Sequence, residues 1–148
     1  MRQYSDRPPV EETLLSNWRP PTGVQVIALL GAALPVLGAF LAIFNPAMLV
    51  GKAEEMNNAA RVFAGYFVSR NLSLAALLAG ALALRARKAL GSLLTLTALI
   101  QFVDAAVDCY EQRWAVVPVV VALGVAFLVG AGSTLGRPVW KTEVWRDS

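Results

Sequence analysis

The chain contains no histidine and a single cysteine, Cys109. Without histidine it has no residue for histidine-ligated haem, His-bound zinc or copper, or imidazole acid–base catalysis. One cysteine cannot form an internal disulfide, a CxxC redox pair or a four-cysteine iron–sulfur site. Neither a metal nor a cofactor is therefore expected. Charge is scarce too. Asp, Glu, Lys and Arg make up 16% of the chain, against about 25% in ordinary soluble domains. The net charge of +3 is small, and the charges sit at the ends of apolar blocks. No nucleic-acid partner is expected from such a pattern. The stretch from Gly130 to Gly136 is glycine-rich, but it lacks the spacing of a dinucleotide loop and ends an apolar segment.

Apolar residues are abundant instead. They form 57% of the 148 residues, and the mean hydropathy is +0.56. Pro20–Gly51 (32 residues) and Trp114–Gly136 (23 residues) carry no charge, and Ala89–Val103 adds 15 more uncharged residues. About 18 consecutive apolar residues suffice to cross a bilayer as a helix. The expected fold is therefore all-α: an integral membrane antiparallel four-helix bundle. Its spans fall at about 24–44, 60–84, 89–110 and 115–135, within a transmembrane domain of residues 23–136. Residues 1–22 and 137–148 are polar tails.

In the first tail Val10, Leu14, Leu15 and Trp18 fall at i, i+4, i+5 and i+8, the pattern of a short helix lying on the membrane surface. The segment is too polar, and too far from the first apolar run, to read as a signal peptide. Asn45-Pro46 closes the first span, and residues 47–60 connect it to the second. Arg85, Arg87 and Lys88 form a basic clamp after the second span. Only Glu111 to Trp114 separate the third from the fourth.

Basic residues set the orientation. Arg2, Arg7, Arg19, Arg85, Arg87, Lys88, Arg137, Lys141 and Arg146 fall on one side, and Lys52, Arg61 and Arg113 on the other. Nine against three predicts both termini in the cytoplasm of an inner (plasma) membrane. Trp18, Trp140 and Trp145 then belong to the inner aromatic belt, and Tyr110 and Trp114 to the outer one.

Ionisable groups inside spans are costly, and they usually face a bundle interior or a cavity. Thr97, Gln101, Asp104 and Asp108 stand at i, i+4, i+7 and i+11, one stripe on the third span that Glu111 extends. Tyr66, Arg70 and Ser73 stand at i, i+4 and i+7 on the second, with Ser69 and Asn71 beside Arg70. Arg70 lies about ten residues, roughly 15 Å, from the outer end of its span, and Asp104 about six residues, roughly 9 Å, from the outer end of the third. Helical side chains lean toward their own N-terminus, which for the second span is the outer end. Arg70 therefore snorkels toward the depth of Asp104, and the two are expected to pair. Arg61 is placed to pair with Asp108 or Glu111.

Two readings of these residues stand. One is a tie between the second and third spans. The other is a polar pocket opening to the outer leaflet, with Asp104, Arg70 and Asp108 as candidate catalytic residues and Tyr66, Asn71, Gln101 and Ser73 as candidate ligand-binding residues. A pocket of this kind takes a small lipophilic molecule. With Asp104 moving a proton and Arg70 stabilising negative charge, it suits isomerase, cyclase or epoxide-opening chemistry. Whether the chain is an enzyme stays open. The alternative is a non-catalytic accessory subunit of a larger, for instance respiratory, membrane complex. The bilayer is the expected partner, and a homo-oligomer or larger complex is open to it.

Asn45-Pro46, the segment Ala60-Arg61-Val62-Phe63-Ala64-Gly65, Arg70-Asn71, the basic turn Arg85–Lys88 and the acids Asp104 and Asp108 together resemble the DoxX-like group of small bacterial four-helix membrane proteins. The resemblance covers about residues 24–135. The group takes its name from a subunit of a thiosulfate:quinone oxidoreductase, and most members have no assigned reaction. A similar four-helix layout occurs in the EXPERA sterol-isomerase and sterol-binding proteins, a likeness of architecture alone.

Overall fold

Two prolines set where the first helix begins. A residue before proline avoids the helical conformation, so Arg19 and Pro20 are non-helical and the helix starts just after Pro21. The Gln25 backbone N–H donates to the Pro21 carbonyl oxygen at 3.0 Å, and its side-chain amide donates to the Pro20 carbonyl oxygen at 2.8 Å. The computed structural model describes residues 18–44 and 58–141. The surface helix expected over Val10–Trp18 lies outside these residues except for Trp18, which is not helical. Asn45-Pro46, the connecting segment 47–57 and Trp145 also lie outside them.

The described residues form four helices: α1 (Thr22–Phe44), α2 (Asn58–Ala83), α3 (Arg87–Tyr110) and α4 (Val117–Leu135). Each is long and apolar enough to cross a membrane. The expected spans agree with them to within about two residues at each end. Only 22% to 33% of the most apolar stretch of each helix is buried. Leu29, Phe40, Leu77, Leu99 and Val119 all point outward. Large contiguous apolar surface of this kind does not face water in a monomeric soluble protein. The chain is a multi-pass helical membrane protein.

Turns are closed by backbone chemistry. After α2, Arg85 takes a left-handed φ of 54°, its N–H donates to Leu82 O and the next N–H, of Ala86, donates to Ala81 O. After α3, Gln112 has φ 57°, its N–H donates to Cys109 O and that of Arg113 donates to Asp108 O. Both are the Schellman arrangement, here without the usual glycine. After α4, Gly136 (φ 74°) donates to Gly132 O.

Helix α1 packs chiefly on α2 and α3 chiefly on α4, while the α2–α3 and α1–α4 seams are thinner. Lipid chains are as apolar as leucine, so association rests on close packing. Glycines permit it. A Cβ on Gly91 would stand 2.6 Å from Leu135, one on Gly124 2.9 Å from Phe102, and one on Gly31 3.0 Å from Phe127. Phe127, Leu78, Leu90 and Leu94 are the large apolar residues sealed in the core. Polar groups in this core satisfy themselves locally. The hydroxyls of Thr95, Thr97 and Thr134 each donate to the carbonyl oxygen four residues back, at 2.9, 2.8 and 2.7 Å.

The basic residues gather where α2 ends and α3 begins. Arg87 Nε donates to Thr134 O at 2.6 Å, and its guanidinium lies 6.0 Å from the Trp18 ring centroid. One side chain thereby joins α3 to α4 and to the segment entering α1.

Candidate functional site

The thin α2–α3 seam opens at the opposite end of the bundle. There a cavity of about 690 Å³ forms, to which all four helices contribute. Ala42 of α1, Ala60, Phe63, Ala64 and Phe67 of α2, Val107 of α3 and Val116 and Val120 at the start of α4 give it apolar walls. Arg70, Gln101, Asp104, Asp108 and Arg113 supply its polar lining.

Helix periodicity places the polar groups. Gln101, Asp104 and Asp108 are turns of one stripe on α3, and all three reach the cavity. Thr97, one turn deeper, is buried and bonded back to Leu93. On α2, Phe63, Phe67 and Arg70 follow at i, i+4 and i+7. The Arg70 guanidinium carbon lies 5.6 Å from the Phe67 ring centroid, a cation–π contact that orients it along the cavity wall.

Two ion pairs cross the site. Arg70 Nη2 stands 3.9 Å from Asp104 Oδ2, the pairing expected from depth. Both side chains keep close to half of their surface open, 47% and 42%. At 3.9 Å the contact is electrostatic and longer than a hydrogen bond. The second pair is tighter: Arg113 Nη1 lies 3.2 Å from Asp108 Oδ1, and the Asp108 side chain is only 11% exposed. Asp108 thus takes Arg113 as its partner, where Arg61 was expected to pair with either Asp108 or Glu111. The turn residue follows Asp108 by a single hydrogen-bonded reversal, so the chain delivers its guanidinium locally.

Three expected ligand-binding residues stand elsewhere. Tyr66 is 70% exposed and Ser73 is exposed, both on the outward side of α2. Asn71 is buried on the α1 side, its Nδ2 3.7 Å from where a Cβ on Gly38 would be. None of the three lines the cavity.

No protein-family model, curated protein or solved structure matches the chain.

Of the cavity residues that were not among the expected ones, Arg113 is the charged one and Phe63 and Phe67 are the aromatic ones. For Arg113 the signal was its place one turn beyond Asp108. For the phenylalanines it was the i, i+4, i+7 stripe that they share with Arg70. Among the described residues no group of His, Cys, Asp and Glu is arranged to hold a metal ion.

Proposed function

We propose that this chain is an antiparallel four-helix protein of an inner membrane, both termini cytoplasmic, that binds a small lipophilic molecule in the cavity between α2 and α3. The observation that carries the reading is an open ion pair in an apolar chamber. Asp108 is occupied by Arg113, whereas Arg70 and Asp104 stand apart and face the cavity. Burying charge without partners is expensive in a membrane. The two Arg and two Asp side chains of the lining balance, so the favoured guest is uncharged, with a carbonyl, hydroxyl or epoxide oxygen at one end.

Such a guest places its oxygen at the Arg70 guanidinium and an acidic C–H or O–H near the Asp104 carboxylate. Asp104 then takes and returns a proton while Arg70 stabilises the charge developing on oxygen. Isomerisation, cyclisation and epoxide opening all use that combination. The residue pattern supports a distant DoxX-like relationship. The charge distribution supports the orientation: Arg19, Arg85, Arg87, Lys88, Arg137 and Lys141 lie at the end away from the cavity, against Arg61 and Arg113 at the cavity end among the described residues.

The test is mass spectrometry of small molecules extracted from the protein purified in mild detergent. The wild type should carry a lipophilic molecule that Arg70→Gln and Asp104→Asn both lose while remaining monodisperse. A wild type that carries none, and that travels instead with large membrane subunits, would favour the accessory-subunit reading.

A further inference from the structure

The polar stripe of α3 is satisfied at its two ends and open in its middle. Next to the α3–α4 turn, Asp108 holds Arg113 at 3.2 Å. At the deep end Thr97 is buried, and its hydroxyl donates to the Leu93 carbonyl oxygen at 2.8 Å. Between these levels stand Gln101 and Asp104, with Arg70 facing them from α2, and all three line the cavity. Among the described residues none of the three side chains makes a hydrogen bond to another protein group. Arg70 and Asp104 attract one another across 3.9 Å, beyond hydrogen-bond reach.

The unmet capacity can be counted. Arg70 offers donors only, the Asp104 carboxylate acceptors only, and the Gln101 amide one carbonyl oxygen and two N–H donors. Gln101 and Asp104 are three residues apart, so they share a face and lie about 4.5 Å apart along the helix. Gln101 is nine residues, roughly 14 Å, from the end of α3 at Tyr110. A molecule that displaces water from this depth must replace the hydrogen bonds water would make, because each buried polar group left unmatched costs about 1–3 kcal/mol.

We infer that the molecule bound in this cavity is a neutral lipid with two neighbouring hydroxyl groups, and that Gln101 selects it. The inference rests on the cavity-binding reading above and narrows its ligand class. Two groups here ask for a proton, the Asp104 carboxylate and the Gln101 carbonyl oxygen. A ketone or an epoxide brings none, and a lone hydroxyl brings one. A diol brings two: one O–H donates to Asp104 and the other to Gln101 Oε1, while their oxygens accept from the Arg70 guanidinium and Gln101 Nε2. A carboxylate accepts from Arg70 but meets Asp104 with like charge. The apolar part of the guest then runs toward the α3–α4 turn between Phe63, Ala64 and Val107, which carry no polar side-chain group.

Thermal unfolding of the full chain in mild detergent tests this, titrated separately with decanediol (hydroxyls on neighbouring carbons), decanol and decanoate. A ligand that binds the folded state raises the midpoint according to its concentration and affinity. The wild type should bind decanediol about fivefold more tightly than decanol, the factor equivalent to ~1 kcal/mol for one added neutral hydrogen bond. Decanoate should bind most weakly. Gln101→Leu and Gln101→Met remove the amide at similar volume. Both should bring decanediol down to the affinity of decanol and leave decanol unchanged. The wild-type comparison is decisive by itself if either variant folds poorly. Equal wild-type affinities for decanediol and decanol overturn the inference and leave a cavity that binds neutral lipids. A diol preference that persists in both variants also overturns it, because the amide would then select nothing. Binding of none of the three overturns the cavity reading and this inference together.

Discussion

Arg113 is joined to Asp108 twice: its backbone N–H donates to the Asp108 carbonyl oxygen at 2.8 Å, and its guanidinium lies 3.2 Å from the carboxylate. The α3–α4 turn therefore neutralises the most buried acid of the bundle within five residues of chain. Asp104, one turn deeper on the same stripe, is left to the longer contact with Arg70. Two acids four residues apart thus acquire different surroundings.

That difference should appear when Arg113 is changed. Arg113→Gln leaves a largely buried carboxylate without its cation, and loss of such a partner costs about 1–3 kcal/mol. Thermal unfolding in detergent should register this, with Arg113→Lys recovering part of the loss. Unchanged stability in Arg113→Gln would show that the contact contributes nothing.

The Arg70–Asp104 pair should behave differently. Its 3.9 Å separation, against 3.2 Å for Arg113–Asp108, predicts a weaker coupling than that of the tighter pair, below the ~3–5 kcal/mol lost when one partner of a sealed pair is removed. Arg70→Leu, Asp104→Leu and the double variant should all fold and all lose bound ligand. A double variant that regains several kcal/mol lost by each single one, and keeps its ligand, would make the pair a tie between helices.

Gln112 carries a left-handed backbone that costs a side-chain-bearing residue about 1–2 kcal/mol relative to the right-handed conformation. Gln112→Gly should relieve part of this and raise stability by up to about 1 kcal/mol, retaining the Arg113–Asp108 pair. Gln112→Val should lower stability, because a β-branched residue tolerates that conformation least. Unfolding midpoints for the two variants that move in the same direction would contradict this account of the turn.

Close packing at glycine makes a sharper prediction. A Cβ at Gly124 would stand 2.9 Å from the Phe102 ring, and both are on the principal α3–α4 interface. Gly124→Leu should cost about 1–3 kcal/mol through overpacking. Gly65→Leu, at a site with nothing within 4 Å of the added Cβ, should be tolerated. Comparable destabilisation of the two would separate the effect from helix–helix contact.

Orientation is accessible to labelling. In a Cys109→Ser background, a cysteine placed in the 111–114 turn should react with an impermeant thiol reagent added to intact cells. One placed at 85–88 should react only after the cells are opened. The reverse pattern would invert the proposed topology.

The four apolar spans, their ends and the polar stripe of α3 were legible in the sequence because each is a local property. Length and uncharged composition define a span, and a 3.6-residue period alone puts Gln101, Asp104 and Asp108 on one face. Even the Arg70–Asp104 pairing followed from depth along two helices. The rotation of α2 did not follow. At 100° per residue Arg70 stands at a boundary, with Phe67, Asn71, Leu74 and Leu78 on one side and Tyr66 and Ser73 on the other. Tertiary packing turns the first set inward, where Leu74, Leu78 and Asn71 are buried, and leaves Tyr66 and Ser73 outside. In water an amphipathic pattern would have announced that choice. In a bilayer the surroundings are as apolar as the core, so only the fit of side chains such as Phe127 into Gly31 decides which face of each helix turns inward.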